Sequence, residues 1–464
     1  MFKDWFGDRK FYSKALAVAI PIMIQTGITN FVNMLDNVMV GQLGTDAISG
    51  VAIINQLMFV FNLCIFGAFS GVGIFTAQFY GKGDHEGVRY TFRMQVFAAL
   101  FLIALGFFVI LTWGDPIIMR FLTADSGGGT VDGTLTLAKK YLAVMMIEII
   151  PFAFVQVYSN TLRNTGETVV PMYAGLIAVA VNLVGNYILI YGKFGAPALG
   201  VTGAAIATVL SRFVEFFIVA GWTHLNTEKN PFIVGAYRHL FRMPGSLVLR
   251  VMGKAWPLLL NEGLWSAGQT VLVRIYSTRG LSAVTAMNIS NTIANVFNIA
   301  FIAMGSATAI LLGQMLGRGE IERAKADAKK LTVFSVLLCI GMGLLLICVS
   351  PFFPKVYNTT DEIRNIASGL IRIAAIFMPV YAYENAAYFT IRSGGKTFIT
   401  FVFDSVFVWC VSIPAAYLFT TYTDFPIMKL CLFVNLFEFT KCALGYALKR
   451  SGSWAKNLTI EPVK

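Results

Sequence analysis

A single carboxylate, Asp36, stands in the first apolar run of the chain, within PIMIQTGITNFVNMLDNVMVGQLG (Pro21 to Gly44). The residues around it are almost uniformly apolar or small. An ionisable group at membrane depth costs roughly 3 kcal/mol or more, so it marks either a site that uses the charge or a helix end that has reached water. A second polar set lies far along the chain. Asn182 and Asn186, in AVAVNLVGNYILIYG, are four residues apart and share one helix face. Ala204 and Thr208, in GVTGAAIATVLS, have the same spacing, and the small residues there allow helix backbones to approach closely. A carboxylate, amide oxygens, a hydroxyl and a backbone carbonyl form an all-oxygen set that suits a hard cation. The alternative is hydrogen bonding from helix to helix. Three further acids fall in later apolar runs: Glu262, Glu384 and Asp404. They either line a cleft or pair with Arg or Lys.

These residues need a membrane scaffold to position them. The chain has 464 residues, 57% hydrophobic and only 13% charged, with a mean hydropathy of +0.70. A soluble domain carries about 25% charged residues. The apolar runs have the length that crosses about 30 Å of hydrocarbon as a helix. Period-2 alternation is absent, and backbone satisfaction in lipid leaves helices as the spanning element. The expected fold is all-α and polytopic, with twelve spans near 14–39, 51–79, 91–113, 138–159, 169–191, 199–222, 250–275, 284–313, 330–350, 364–391, 397–420 and 426–448.

Most Lys and Arg fall in alternate loops and the two terminal segments, while the 41–50 loop holds none. The positive-inside rule then places both termini in the cytoplasm. The net charge of +12 reads as topogenic rather than as a nucleic-acid surface. No cleavable signal is expected, because the run behind MFKDWFGDRKFYSK is too long for a signal-peptide core. The six cysteines (Cys64, Cys339, Cys348, Cys410, Cys431, Cys442) lie in apolar runs without metal or disulfide spacing.

The two halves repeat. A shift of 236 residues places Pro21 on Pro257, Gly44 on Gly280, Val60-Phe61-Asn62 on Val296-Phe297-Asn298, Gln78 on Gln314 and Gly81 on Gly317. A weaker echo places Arg163, Gly166 and Thr168 on Arg392, Gly395 and Thr397. Polar and Gly positions in register signify duplication. Six spans per unit make the repeat parallel, about an axis along the membrane normal, as transporters use for alternating access. The expected organisation is an N-lobe (1–222), a cytoplasmic linker (223–249) and a C-lobe (250–464). In the linker, the spacing of Phe232, Tyr237, Leu240 and Phe241 suggests a short interfacial helix. Asp36 falls on Leu272, so the second half does not repeat the acid.

The Pro21–Gln25 and DNVMVGQLG segments, the RNTGET loop (Arg163 to Thr168), the paired Asn and GVTGAAIAT (Gly200 to Thr208) together resemble the multidrug and toxic compound extrusion (MATE) transporters, nearly end to end. The resemblance implies an inner-membrane antiporter that expels amphipathic, often cationic compounds against inward Na⁺ or H⁺. It is nearest to the bacterial branch similar to DNA-damage-inducible F. By that branch's motifs the N-lobe cation site maps to Asp36, Asn182, Asn186, the Ala204 carbonyl and Thr208, and Pro21 maps to a proline at which the first helix bends. Many relatives have Asp where this chain has Asn186, so one carboxylate remains and the balance tilts toward Na⁺ or toward either ion competing for Asp36. The branch typified by NorM uses a seventh-span Glu and a tenth-span Asp instead. The repeat aligns Glu262 with Thr26 rather than Asp36, and its role is left open, with coupling or substrate contact for Glu262, Glu384 and Asp404 as the options. Phe61, Met287, Phe297 and Tyr381 either form an adaptable drug surface or pack the bundle.

No HExxH motif, Ser-His-Asp set or phosphate-binding Gly loop occurs, so no enzyme is expected, nor any cofactor beyond the coupling ion. The expected partners are the small-molecule substrate and the lipid bilayer, with no nucleic acid, and the protein is expected to be a monomer. The other functional reading is a flippase for a lipid-linked sugar. That reading requires a cationic cleft, for which the spans offer Arg212, Arg274, Arg372 and Lys441, most of them near span ends where they can snorkel.

Overall fold

A computed structural model describes residues 5–122 and 130–460; Lys3 and Lys464, counted among the topogenic residues, lie outside them. The described chain is all-helical. The first half supplies α1 (Arg9–Gly41), α2 (Thr45–Lys82), α3 (His85–Leu122), α4 (Val131–Asn164), α5 (Val169–Tyr191) and α6 (Val201–Leu225). The second supplies α7 (Gly245–Ser277), α8 (Leu281–Gly317), α9 (Ile321–Val349), α10 (Asp361–Ser393) and α11 (Thr397–Tyr422). Its final span is built from α12 (Ile427–Leu436) and α13 (Glu438–Arg450). This gives twelve spans in two sets of six, as the sequence implied. Among the described residues, ten helices are long and apolar enough to cross a membrane, by length and composition alone. The seventh span falls short because charged and polar residues interrupt it, and the twelfth because it is broken at Phe437. Several helices run past their apolar cores, α2 and α8 by a turn or more.

The chain divides into two compact units. One comprises Ile24–Thr76 and His85–Val248, and the other Met1–Met23, Ala77–Asp84 and Leu249–Lys464. The division passes through α1 two residues beyond Pro21, although α1 continues helically across that proline.

Within the first of these units, small residues set the distance between α5 and α6. A Cβ on Gly203 would lie 2.5 Å from the Leu189 carbonyl oxygen, and one on Gly185 would lie 3.0 Å from the Ala207 methyl. Only hydrogen fits at such a contact, and the close approach brings the polar faces of the two helices together. At the start of α4, the Thr130 hydroxyl caps Gly133 N, and Asp46 of α2 accepts from Thr130 N and the Thr134 hydroxyl. The segment 226–248 is a docked cap on this unit. Arg93 donates to the carbonyls of Ala236, Gly235 and Arg242, and Arg89 to those of Phe232 and Pro231. Phe92, Tyr158 and His224 close around Phe232 and Tyr237. The short interfacial helix expected here is absent. A single 3₁₀ turn, Pro231–Ile233, is followed by turns, because Arg93 takes the carbonyls a helix would use and Gly235 is left-handed at φ +71°.

Within the other unit, Ala15, Val18, Ala19 and Ile22 of α1 pack with Ala303, Ala307 and Leu311 of α8 and Leu331 of α9. The ends of α2 and α8 meet through their repeat-related residues. A Cβ on Gly81 would lie 2.0 Å from Gln314 O, and one on Gly317 would lie 1.9 Å from Gln78 O. Each member of the pair contacts the other's counterpart, which is the signature of an isologous contact about a two-fold axis. The duplication is visible in the backbone as well: Gly44 and Gly280, which share a repeat position, have φ +111° and +99°.

Candidate cation site in the first half

Asp36 lies inside α1, five residues before its end, and its carboxylate is turned to α5. Asn186 Nδ2 donates to Asp36 Oδ1 at 2.6 Å. With its amide nitrogen toward the carboxylate, Asn182 donates to Asp36 Oδ1 and Oδ2 at 2.9 and 3.0 Å, and its oxygen accepts from the Thr208 hydroxyl at 3.2 Å. Thr208 Oγ1 also lies 3.0 Å from the Ala204 carbonyl oxygen. The five residues singled out from the sequence thus form one continuous polar set on α1, α5 and α6. Asn182 and Asn186 are 5% and 1% exposed, and Asp36 is half-buried. Hydrogen bonds to a charged acceptor contribute about 1.5–3 kcal/mol each, which offsets much of the cost of the buried charge.

Asn186 Oδ1 is buried and has no hydrogen-bond partner. A buried amide oxygen without a donor costs about 1–3 kcal/mol, a cost that coordination to a cation would remove. The opposite orientation of Asn182, Oδ1 toward Asp36, sets oxygen against oxygen at about 3 Å. That arrangement is satisfied only by a shared proton or a cation between them.

Two buried acids missed in the sequence stand near this set. Arg212 of α6 pairs with Glu215 at 2.8 Å and with Glu148 of α4 at 3.4 Å, and its guanidinium lies over Phe152. Glu148 and Glu215 are 8% and 3% exposed. Arg212 is also a charged neighbour of Asp36. The criterion that singled out Asp36, an acid in an apolar run, also marks Glu148 in MMIEIIP and Glu215 in FVEFF. Arg163, in the RNTGET loop, donates to Gln25 of α1 at 2.6 Å, four residues beyond Pro21.

In the second half, Glu384 and Asp404 pair with a lysine. Lys441 of α13 lies 3.1 Å from Asp404 Oδ1 and 3.6 Å from Glu384 Oε2, with the rings of Phe403 and Phe407 beside it. Lys441 is 8% exposed, so it is a buried ion-pair partner. Asn261 donates to Asp404 Oδ2 at 3.1 Å, and its own oxygen accepts from Ser405 at 2.8 Å. Asp404 and Ser405 sit on a π-helical turn of α11, Val402–Val406, a distortion that recurs at functional sites. Glu262, adjacent to Asn261, has Arg392 and Asp404 as its charged neighbours. Phe61, Met287 and Phe297 pack against buried clusters, and Tyr381 lies against Phe377.

The MatE family model matches residues 21–188 and 257–418, together more than half of the chain. The two matches begin at the repeat-related prolines. The probable multidrug resistance protein NorM of Thermotoga maritima is 25% identical over 97% of this chain and 95% of its own length. The multidrug resistance protein MdtK of Yersinia enterocolitica is 26% identical over 87% of this chain and 86% of its own. A solved mutant of the Vibrio cholerae MATE transporter VcmN superposes with a TM-score of 0.85 at 15% identity, covering 95% of this chain and 97% of that one.

Proposed function

Since the chain belongs to the MatE family of multidrug and toxic compound extrusion transporters, we propose that it exports amphipathic, often cationic compounds in exchange for an inward cation bound at Asp36. As a member of that family it is a multi-pass membrane transporter and not an enzyme. The observation that carries the coupling proposal is the joining of Asp36, Asn182, Asn186, Ala204 and Thr208 into one buried oxygen-rich set.

In the ion-free state the two amide nitrogens neutralise much of the Asp36 charge. A Na⁺ entering the set would take the carboxylate, the amide oxygens turned inward, the Thr208 hydroxyl and the Ala204 carbonyl as hard-oxygen ligands. A proton on Asp36 would remove the same charge without the ligands. Either event alters what α1 holds against α5, and a ligand shifts a conformational equilibrium by its differential affinity for the two states. Pro21 lacks the N–H that would bond the preceding turn, so it is the place where α1 bends when that balance changes. One carboxylate with neutral oxygens favours Na⁺ over a proton pair. The repeat halves, 1–222 and 250–464, are the bodies that move, with 223–249 between them. The protein sits in the bacterial inner membrane with both termini in the cytoplasm, and it acts as a monomer.

Lys441 is a tethered cation for Glu384 and Asp404, so of the three second-half acids singled out from the sequence Glu262 is the one proposed to meet a cationic substrate. The same pairing argues against a flippase for a lipid-linked sugar, because Arg212 and Lys441 are already matched by carboxylates. Export of a cationic dye from cells expressing the chain tests the proposal. Accumulation that falls on expression supports it. Unchanged accumulation across cationic and neutral dyes, with envelope defects on depletion, would favour the flippase.

A further inference from the structure

A cavity of about 360 Å³ lies between the start of α3 and the docked segment that follows α6, and neither Asp36 nor its partners line it. Four guanidinium groups line it, from Arg89, Arg93, Arg238 and Arg242, together with His239. The single acid in the wall is Glu86, which accepts from the Tyr90 hydroxyl at 2.6 Å. Three positive charges are therefore in excess in one concave site.

The four arginines divide by role. Arg93 is 5% exposed and donates through Nε, Nη1 and Nη2 to three backbone carbonyls at 2.7, 3.1 and 2.9 Å. Arg89 donates to two more. These two build the floor and fix the segment above it. The side chains of Arg238, His239 and Arg242 are exposed and make no hydrogen bond or ion pair among the described residues. Charges of one sign held together by a docked backbone repel one another unless an anion joins them. The guanidinium fork fits a phosphate through paired donors.

The surroundings favour a lipid as the source of that phosphate. Phe241, between His239 and Arg242 in the chain region that lines the cavity, is 83% exposed and packs edge-to-face on Phe97 of α3 at 5.0 Å. Phe97 is one helical turn beyond Arg93 on a membrane helix. A bare aromatic ring beside basic residues at the end of a span is the arrangement of a membrane–water interface. Basic pockets at that level bind anionic head groups. We propose that this pocket binds the phosphate of an anionic phospholipid headgroup, with Phe241 against the acyl region, and so fastens the segment joining the two halves to the membrane surface.

Native mass spectrometry of the purified full-length protein, titrated separately with phosphatidylglycerol, phosphatidylcholine and inorganic phosphate, tests this. The expected result is a preference of about tenfold for phosphatidylglycerol over phosphatidylcholine, lost in Arg238→Gln/Arg242→Gln and largely kept in Arg238→Lys/Arg242→Lys. Phe241→Ser should weaken phosphatidylglycerol and leave inorganic phosphate unaffected. Phosphate binding that the Gln variant abolishes, without any lipid preference, would overturn the lipid source. Equal binding of all three probes, or unchanged binding in the Gln variant at an unchanged thermal midpoint, would overturn the site itself.

Discussion

Asn186 Nδ2 and Asp36 Oδ1 lie 2.6 Å apart, joining α5 to α1 across 150 residues of sequence. The contact is short, charge-assisted and largely removed from water, and it sits where α1 has left the packing of its first half. It gives the carboxylate a partner that is polar but uncharged. The amide steadies the carboxylate without forming an ion pair with it.

Removing that partner should weaken ion binding without unfolding the protein. Asn186→Leu deletes the unpartnered amide oxygen offered to the cation, and losing one such charged contact, about 1.5–3 kcal/mol, lowers apparent Na⁺ affinity roughly ten- to hundredfold. The Na⁺ dependence of dye export reads this directly. Asn186→Asp tests the same geometry from the other side. Two carboxylates at that distance hold a proton between them, so export should become more dependent on the pH gradient and less on Na⁺. An unaltered ion preference in Asn186→Asp would show that the pair does not act together.

Lys441 gives a stability test in the other half. Lys441→Met leaves Glu384 and Asp404 buried without their cation and should cost about 3–5 kcal/mol. The triple replacement Lys441→Met/Glu384→Gln/Asp404→Asn removes all three charges and should recover most of that loss. Thermal unfolding in one detergent compares the variants. A triple variant no more stable than Lys441→Met would mean that the ion pairing is not what the cluster contributes.

The matched glycines predict matched penalties. At Gly81 and Gly317 an added methyl would fall about 2 Å from a backbone carbonyl oxygen. Gly81→Ala and Gly317→Ala should therefore each destabilise by at least 1–3 kcal/mol, the range of about one overpacked methyl. Gly253→Ala, where a Cβ meets nothing within 4 Å, serves as the control. Melting temperatures that drop for one glycine only would break the symmetry argument.

The segment after α6 should loosen when its anchor is removed. Arg93→Leu deletes three hydrogen bonds to Ala236, Gly235 and Arg242. Amide exchange across 232–242 should rise by about tenfold or more, since local opening follows local contact density. Exchange in α5 and α6 should stay as it was. Protection that persists in 232–242 would assign the docking to the ring cluster of Phe92, Tyr158 and Tyr237.

Much of the architecture was legible because lipid is an intolerant solvent. Every span had to be a helix, and the recurrence of Gly and Pro at fixed spacing exposed the duplication. Asp36 and the two Asn stood out for the same reason, and all five residues of the set proved adjacent. For Glu384 and Asp404 the choice between lining a cleft and pairing with Arg or Lys stayed open, because spacing along one helix says nothing of what lies across the interface. There, Glu384 and Asp404 come from helices separated in sequence by intervening spans or loops. Glu148 and Glu215 were legible by the Asp36 criterion and were passed over. The segment 226–244 was misread because aromatic spacing implied a helix, whereas Arg93 and Arg89, from another element, claimed its carbonyls.

Asp36 is the residue proposed to carry the coupling ion. Dye efflux from proteoliposomes under separately imposed Na⁺ and pH gradients tests it most directly, with Asp36→Asn compared to the wild type and Glu262→Gln as a second-half control. The wild type should respond to at least one gradient, Asp36→Asn to neither, and Glu262→Gln should keep the wild-type ion response. Export by Asp36→Asn with its gradient dependence intact would show that the coupling ion binds elsewhere.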